Sequence, residues 1–281
     1  MKYIYPALSN IDLGFIRIGG AGLANCMYVA ARAYSYSLRY NAIMIEPTWE
    51  KLSIGPILRG EKDKRHYIGL FSKPFVKGFN KISQIYKKPY HEFEIDSFLS
   101  SDSAILKVSG LGNYFQDLDQ KESKEYFDMI ISNDIKGIVG SENFEDAVAV
   151  HVRLGDYSTN QRTPISWYEG VVECVRKIND KLKFYVFSDG SDNELRSLLL
   201  QPNVERRFYG NALADMLAIS KCRLVIASDS TFSAWGAFLG NVPIIFPKRH
   251  FPPVYKNNSV MELVSENTEL TAELSELLSP L

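Results

Sequence analysis

The sequence predicts an α/β protein of two lobes, with a doubly wound parallel sheet in the C-terminal half. From about Asp146 onward, short runs rich in β-branched and aromatic residues alternate with segments of helical periodicity, which is typical of a parallel sheet. The N-terminal half begins in a similar way, with a strand-like run, a glycine turn and a long apolar helix. A chain of 281 residues is also long for one hydrophobic core, so we expect two lobes.

The elements of the C-terminal half follow one another closely. The predicted strands are AVAVHVRL (147–154), FYVFSD (184–189), ERRFYG (205–210), RLVIAS (223–228) and VPIIFP (242–247). The predicted helices between them are SWYEGVVECVRKIND, with Ser166 as its N-cap, a short helix after the capping-box pair Ser191 and Glu194, LADMLAIS, and STFSAWGAFLG. This alternation predicts the doubly wound sheet.

The N-terminal half is less regular. The segment IRIGGAGLANCMYVAARAYSYSLRYN is predicted to form a strand, a glycine turn and a long helix, and AIMIEP a second strand. Residues 58–92 are predicted to be an irregular insertion. The helical spacing of MELVSENTELTAELSELLSP predicts a terminal helix that packs back on a lobe. The expected organisation is an N-terminal lobe over 1–142, a C-terminal lobe over 143–258 and the terminal helix over 259–281.

The composition argues against several classes of protein. A net charge of -1 gives no general attraction to nucleic acid or to an anionic membrane, although it leaves room for a local basic pocket. The three cysteines are far apart, and the four histidines are scattered, so neither a disulfide framework nor a metal site is predicted. The first residues, MKYIYPALSNIDLGF, resemble neither a secretory signal nor a membrane anchor, so we expect a cytoplasmic protein without a transmembrane segment.

The first candidate site lies at the end of the strand AVAVHVRL. His151, Arg153 and Asp156 lie at its carboxyl end, where open α/β sheets bind ligands. A guanidinium matches phosphate oxygens and stays charged, and Gly155 would let the backbone approach a ligand. The alternative is an ion pair between arginine and aspartate that ties down a turn.

The second candidate site follows the strand RLVIA. Four hydroxyl residues lie where a helix begins, and helix N-termini bind phosphates; they are Ser228, Ser230, Thr231 and Ser233. The alternative is simple N-capping by Ser230 or Thr231. Trp235 and Phe238 are predicted to pack this helix against the sheet.

Three weaker signals remain. The turn Gly19-Gly20-Ala21-Gly22 before a helix lacks the third glycine of a dinucleotide fingerprint, and either a tight turn or a phosphate contact is consistent with it. Asp215 is either a carboxylate that stabilises the first turn of a helix or an acceptor for the N–H groups of a guanine edge. Asp189 is predicted to be a turn residue.

Taken together, these segments resemble the α-1,2-fucosyltransferases of glycosyltransferase family 11. The resemblance is carried by HVRLGDY (151–157), FYVFSD, SGLGNYFQ (109–116), LADMLAISKCRLVIASDSTFSAWGAFLG (213–240) and GGAGLANCMYVAARA (19–33). It implies a GT-B fold of two facing Rossmann-like lobes, a GDP-β-L-fucose donor, and metal-independent transfer with inversion to a glycan hydroxyl, giving an α-1,2 linkage to galactose. No separate cofactor and no metal are implied.

The resemblance also implies roles for the candidate residues. Donor binding falls to His151, Arg153, Asp215, Ser230, Thr231, Ser233, Gly20 and Gly22, with Arg153 on the diphosphate and Asp215 on guanine. His151, Arg153 and Asp156 are the catalytic candidates. Apart from the resemblance, an inverting displacement favours a base near the acceptor hydroxyl, for which Asp156 is the candidate and Glu46 its rival; the alternative is a loose, oxocarbenium-like transition state that needs little base. The N-terminal lobe would lie on the acceptor side and the C-terminal lobe would hold the nucleotide sugar.

Two alternatives stay open. The family usually has a second arginine where this chain has Leu154, and G-L-G-N-Q where this chain has Ala21-Gly22-Leu23-Ala24-Asn25. These two departures support a glycosyltransferase that uses another nucleotide sugar. A homologue that binds GDP without transferring a sugar is the other alternative. The expected acceptor is a bacterial surface polysaccharide or a β-galactoside, and the expected location is the cytoplasm or the inner surface of the membrane.

Overall fold

The computed structural model describes residues 1–52, 58, 64–155, 162–256, 258 and 260–280. The chain divides into two compact units, Met1–Ile135 (unit 1) and Lys136–Leu281 (unit 2), each with its own parallel sheet. The division falls a few residues before the boundary predicted between 142 and 143. Two α/β units in one chain are what the alternation of strand and helix patterns predicts.

Unit 1 contains a larger and a smaller sheet. The larger consists of β1 (Lys2–Pro6), β4 (Ile43–Met44), β6 (Tyr90–His91) and β7 (Ala104–Val108), in the order β4-β1-β7-β6 with every pair parallel. The smaller consists of β2 (Ile11–Asp12), β3 (Arg17–Ile18) and β5 (Lys51–Leu52). The helices are α1 (Leu23–Arg39), α2 (Gly78–Ile85), α3 (Ile95–Ser100), α4 (Gln120–Ile130) and α5 (Asn133–Gly140), the last of which crosses the division between the units.

The segment predicted to be an irregular insertion is only partly irregular. Within residues 64–92, α2 forms a helix and β6 adds a strand to the larger sheet beside β7. Amphipathicity does not show which face of α2 is buried, because Lys81 on its inward face is 2% exposed while Phe79 on its outward face is 90% exposed. The helix is amphipathic, but the usual rule would place its apolar side inward.

Unit 2 contains one six-stranded sheet. Its strands are β8 (Ala147–Val152), β9 (Lys183–Ser188), β10 (Val204–Arg206), β11 (Leu224–Ile226), β12 (Ile244–Phe246) and β13 (Glu262–Val264). The order is β10-β9-β8-β11-β12-β13, and all neighbours are parallel. Counted from β8, this is the Rossmann order 3-2-1-4-5-6, in which the chain reverses direction across the sheet between β8 and β11.

The helices of unit 2 are α6 (Ile165–Ile178), α7 (Arg196–Leu199), α8 (Ala212–Ile219), α9 (Thr231–Gly240) and α10 (Ala272–Leu278). The strands and helices predicted for this half are therefore present. The N-cap assignment of Ser166 is wrong: the N-cap position is Pro164, two residues earlier, and it makes no side-chain bond to the first turn. The fixed φ of proline favours this start, so no capping side chain is required.

The prediction of one continuous terminal helix over 259–281 is also wrong. Glu262–Val264 forms β13, which pairs with β12 in register from Ile244↔Glu262 to Phe246↔Val264. The strand forms because its backbone N–H and C=O groups hydrogen-bond to those of β12. Side-chain periodicity gives no information about such pairing. Only the last part is helical, and α10 buries Leu274 and Leu278 in the core of its own unit, beside α6.

The core of unit 2 lies on both faces of its sheet. All six residues of β8 are buried, which is typical of a central strand covered by helices on both sides. Val148, Val150 and Val152 face a cluster that includes Trp167 and Tyr168 of α6. Trp235 and Phe238 of α9 are buried, so their predicted packing role is confirmed.

Candidate functional site

The candidate site lies at the carboxyl edge of the sheet in unit 2, where β8 and β11 are neighbours. The Ser228 N–H donates to the carbonyl oxygen of His151 over 2.9 Å, and the Ser228 hydroxyl lies 3.0 Å from His151 Nδ1. These contacts join the two segments that sequence analysis singles out separately. They meet at the switch point, which is the usual ligand position in open α/β sheets.

His151 is a buried and neutral member of this site. It is 6% exposed, and its ring lies 5.1 Å from that of Phe232, between ring centroids. Burial lowers the pKa of His151 to about 4; the Asp189 carboxylate opposes this lowering, and the Arg153 guanidinium adds a smaller lowering of its own. A neutral imidazole donates a hydrogen bond from one ring nitrogen and accepts one at the other, and it adds no charge to this edge of the sheet.

Arg153 is held by an ion pair with Asp189. Its Nη1 lies 2.5 Å from Asp189 Oδ2, and each side chain is 22% exposed. The ion-pair alternative is therefore realised, but with Asp189 as partner; Asp156 lies outside the described residues. The prediction that Asp189 is only a turn residue is wrong, because this carboxylate fixes the direction of the guanidinium.

Asp189 also organises the backbone after β8. Its Oδ1 accepts the N–H groups of Leu154 (2.8 Å) and Gly155 (3.0 Å). Burial alone raises its pKa, but Arg153 and these two N–H donors outweigh burial, so the pKa of Asp189 lies below its ordinary value. A Cβ on Gly155 would lie 2.5 Å from Asp189 Oδ2, so the glycine makes room for this carboxylate.

A second arginine supports the loop that carries Asp189. Arg206, at the end of β10, donates from Nη2 to the carbonyl oxygens of Ser188 (3.0 Å) and Gly190 (2.7 Å), on either side of Asp189. It also pairs with Asp192. The ends of β8, β9 and β10 are thus connected through polar side chains.

The hydroxyl residues at the start of α9 differ in their surroundings. Ser230 is the N-cap, and its Oγ accepts the Phe232 N–H over 3.3 Å, as the capping alternative requires. The Ser233 side chain is fully buried and donates to the Ser230 carbonyl oxygen. Thr231, the first helical residue, is half-buried. Ser230 and Thr231 therefore lie nearer to solvent at this helix end than Ser233 does.

Asp215 lies in the first turn of α8, which follows β10. Its Oδ1 accepts the Tyr209 N–H over 2.7 Å, while the separate N-cap residue, Asn211, accepts from Ala214. The carboxylate thus orders the loop that enters α8. Since β10 and β8 are separated by β9, Asp215 follows a strand that lies two inter-strand spacings, or about 10 Å, from β8.

Sequence analysis missed one further pair at this edge. Asp229 follows Ser228, and its Oδ1 lies 2.6 Å from His250 Nδ1, beyond the end of β12. His250 is half exposed and is oriented by the carboxylate, an arrangement that suits proton transfer. The signal for Asp229 was its position after a strand; nothing local indicated His250, because the pairing depends on β11 and β12 being adjacent.

Leu154 is a core residue rather than part of the edge. It is 4% exposed and belongs to the buried cluster of unit 2, and a Cβ on Gly190 would lie 2.5 Å from its Cδ1. An arginine side chain in this direction would be buried among apolar groups. The leucine is thus explained by packing.

A cavity of about 470 Å³ opens beside this edge. It lies at the start of α6 and beyond the ends of β12 and β13, and Arg153 is not among its lining residues. The described residues that line it are Arg162, Thr163, Pro164, Ser166, Trp167, Pro247, Lys248, Glu266, Asn267 and Thr268. It is large enough for a sugar residue and mixes polar with apolar walls.

The glycine turn of unit 1 is held from inside by two cations. Arg17 donates to the Gly19 carbonyl (2.7 Å) and Lys51 to that of Gly20 (3.0 Å). Gly20 has a φ of +80°, and a Cβ there would lie 2.7 Å from the carbonyl oxygen of Leu8, so the position requires glycine. Gly22 is the N-cap of α1 with an ordinary φ of -69°.

A cavity of about 550 Å³ adjoins this turn. It lies at the ends of β1 and β7, and Gly20, Asn25 and Ser109 are among its lining residues.

Glu46 is in the same unit but is enclosed: it is 2% exposed, and its Oε2 accepts the Phe75 N–H over 3.1 Å. Burial raises the pKa of Glu46 to about 7, despite the opposing effects of the Phe75 N–H, Lys81 and Lys73.

Within the described ranges, no group of three or more His, Cys, Asp or Glu side chains is arranged to hold a metal ion. Of the helices that the structure describes, none combines the length and the apolar character needed to span a bilayer.

Comparisons with known proteins agree with this architecture. The family model "Glycosyl transferase family 11" matches residues 73–246, more than half of the chain. The O-antigen biosynthesis glycosyltransferase WbnK of Escherichia coli is 27% identical over 130 residues, which cover 42% of this chain and 43% of that protein. An alpha-1,2-colitosyltransferase of Escherichia coli is 23% identical over 80% of this chain and 87% of that protein.

Among solved structures, the fucosyltransferase NodZ from Bradyrhizobium matches 86% of this chain and 94% of its own with a TM-score of 0.54 at 15% identity. A likeness at this identity concerns the fold, and the predicted GT-B class is confirmed. The predicted family is confirmed as well.

Proposed function

The chain belongs to glycosyl transferase family 11, and we propose that it transfers L-fucose from GDP-β-L-fucose to a hydroxyl group of a glycan. The observation that carries this proposal is the junction of β8 and β11. There the Arg153–Asp189 pair, the neutral His151 and the N-terminus of α9 share one strand edge, at the switch point of a Rossmann sheet. That combination suits a nucleoside diphosphate.

In the proposed reaction, the acceptor oxygen bonds to C1 of fucose on the face opposite the nucleotide. The bond between C1 and the β-phosphate oxygen breaks, its electron pair leaves with GDP, and the acceptor proton passes to a base. Inversion follows from this in-line geometry. Negative charge grows on the diphosphate, so fixed donors directed at it lower the barrier most.

Arg153 is the proposed donor of that stabilisation. Asp189 neutralises part of its charge but also fixes its direction, so the guanidinium does not need to reorganise as GDP departs. His151 contributes hydrogen bonding rather than charge, since burial keeps it neutral. Ser230 and Thr231 at the start of α9 are the proposed phosphate contacts, and the buried Ser233 supports them through the Ser230 carbonyl.

Asp215 is the proposed guanine contact. It follows β10, about 10 Å along the sheet from β8, which leaves room for a ribose between base and phosphate. Asp156 remains the proposed base for the acceptor hydroxyl, although it lies outside the described residues. Glu46 is less suited to that role because it is enclosed.

We further propose that unit 1 binds the acceptor, with the cavity beside the glycine turn as the contact surface. Gly20 and Gly22 remain proposed donor contacts. Two relatives support a saccharide acceptor and an α-1,2 linkage, one named for O-antigen biosynthesis and one for alpha-1,2 transfer. A galactose residue in a bacterial surface polysaccharide or another β-galactoside is the proposed acceptor. No metal or other cofactor is part of the proposal.

Arg153→Ala tests the proposal most directly. Because the variant loses a fixed donor at the leaving group, we expect kcat/KM for acceptor-dependent GDP release to fall about 10²- to 10³-fold. Arg176→Ala, which removes an arginine of α6 paired with Glu173, is the matched control and should keep its activity. Thermal melts should show both variants folded. Near-normal transfer by folded Arg153→Ala would refute the role.

The donor sugar has a second candidate. The relative that aligns over 80% of this chain is a colitosyltransferase, which favours a related deoxy sugar such as colitose. Parallel assays with GDP-fucose, GDP-colitose, GDP-mannose and UDP-sugars, with product linkage analysis on a glycan array, distinguish the donors. Stabilisation by GDP in a thermal melt without turnover on any glycan would instead indicate a nucleotide-binding homologue without transferase activity.

A further inference from the structure

One segment of unit 1 has a charge unlike that of the whole chain. Residues 64–91 contain seven lysines and arginines and no aspartate or glutamate, although the protein carries a net charge of -1. The same segment includes α2 and is rich in aromatic residues. Basic residues interleaved with aromatic ones are typical of surfaces that bind anionic partners.

The helix at its centre is inverted relative to an ordinary surface helix. Lys81 is buried and donates to Thr48, whereas Phe79 is 90% exposed and Tyr86 is 67% exposed. Positions 79, 83 and 86 share one helical face, so the two aromatic rings lie on the same outward side, about 10 Å apart. Lys77 directly precedes α2, Lys87 and Lys88 follow it closely, and all three are exposed.

A third aromatic ring adjoins α2. The turn between β2 and β3 packs on the helix, since a Cβ on Gly14 would lie 2.6 Å from Ile82 Cγ1. The next residue, Phe15, is 67% exposed. The resulting surface, here termed the basic aromatic surface, consists of Phe15, Lys77, Phe79, Tyr86, Lys87 and Lys88.

We propose that the basic aromatic surface binds the anionic headgroup region of a phospholipid bilayer. Lysine side chains are attracted to anionic lipids, while aromatic rings insert at the boundary between headgroups and acyl chains. The chemistry favours a lipid surface over a soluble polyanion, because a polyanion would satisfy the lysines but leave exposed phenylalanine rings in water. Attachment is peripheral, and it needs neither the sugar donor nor the acceptor.

Vesicle co-sedimentation of the full chain tests the proposal. The protein should bind vesicles of phosphatidylcholine with phosphatidylglycerol and should not bind vesicles of phosphatidylcholine alone, and added salt should weaken the binding. Lys87→Gln/Lys88→Gln should reduce the partition coefficient about fivefold per lysine, or roughly 25-fold in all. Phe79→Ser should reduce it by about tenfold or more.

Matched controls keep the result specific. Lys121→Gln/Lys124→Gln removes two exposed lysines of α4, and Leu200→Ser removes an exposed apolar side chain of unit 2, so neither should change vesicle binding. Thermal melts confirm that every variant is folded. Equal binding to neutral and anionic vesicles, no binding to either, or equal loss in the test and control variants would each overturn the proposal.

A soluble polyanion completes the comparison. If polyphosphate binds as strongly as the anionic vesicles and Phe79→Ser has no effect, the surface is a polyanion site and the lipid proposal fails. If polyphosphate binding is weak and depends only on the lysines, the lipid proposal is supported. Vesicle binding is measured without sugar donor or acceptor, so its failure is distinguishable from failure of the proposed transferase activity.

Discussion

The charged side chains of the two units lie in different environments. In unit 2, Arg153 and Asp189 pair at the edge of a sheet, and each keeps 22% of its surface exposed. In unit 1, Lys81 is 2% exposed and donates to Thr48, whose hydroxyl donates to Asp12. A ligand can reach the first pair, whereas the second group is enclosed by its own unit.

This difference indicates that the exposed pair in unit 2 serves function and the enclosed group in unit 1 serves stability. At the exposed edge, water and ligands screen the charges, so removing one costs little folding free energy but much binding or catalysis. In the enclosed group, removing one charge leaves its partners desolvated without compensation. Variants at the edge in unit 2 should therefore lower transfer more than stability, and variants of the enclosed group in unit 1 should lower stability more than transfer.

Lys81→Met should have the largest effect on stability. It leaves Asp12 and Glu46 without the nearby buried cation, so we expect the free energy of unfolding to fall by about 3 kcal/mol. Urea denaturation followed by circular dichroism measures the change. The exposed neighbour Lys77→Met is the control and should change stability by less than about 0.5 kcal/mol. An equally small loss in Lys81→Met would contradict the distinction between the two regions.

Glu46→Gln should remove a pH dependence of stability. Burial raises the folded-state pKa of Glu46 from 4.5 to about 7, so the folded protein holds this proton more tightly than the unfolded chain does. Its contribution is complete below about pH 4.5 and is lost as the pH rises to about 7, by up to about 3 kcal/mol.

Urea denaturation at about pH 5 and about pH 7.5 measures this contribution. The difference between the two pH values should shrink in Glu46→Gln and persist in the control, Glu125→Gln, whose side chain is 58% exposed. An unchanged difference in Glu46→Gln would show that the carboxyl group titrates normally.

Asp189→Asn should have a smaller effect, confined to transfer. The amide oxygen can still accept the Leu154 and Gly155 N–H groups, but it no longer fixes the Arg153 guanidinium by charge. We expect kcat to fall about tenfold, with the acceptor KM nearly unchanged, as for the loss of a positioning residue. Asp192→Asn, at an 80% exposed partner of Arg206, is the control. A loss in KM alone would argue against the positioning role.

Much of unit 2 could be predicted from sequence, because its strands and helices are regular and closely spaced. The buried valines of β8 and the apolar face of α6 give clear periodic signals. The start of α6 and the strand β13 could not be predicted in the same way. The first depended on a proline at the N-cap, and the second on hydrogen bonds to a strand remote in sequence.

Individual residues of the candidate site were predicted from the sequence, but the contacts between them were not. His151, Arg153 and Ser228 stood out because polar residues ended apolar strands. The partner of Arg153 was missed because Asp189 ends the next strand, 36 positions further along the chain, and local reasoning assigned it to a turn. In unit 1, the burial of Lys81 was not predicted, because lysines are mostly exposed and nothing local in the sequence marks this one as an exception.

The amino-acid sequence by itself determined the α/β class, the family and the residue types at the strand ends, because periodicity and short motifs are local properties. Tertiary structure decided which charges meet and which are shielded from water. Strand order brings Asp189 to Arg153 and encloses Lys81 and Glu46, and the same groups would behave differently in another register. Their pKa values and their roles depend on neighbours that are distant along the chain.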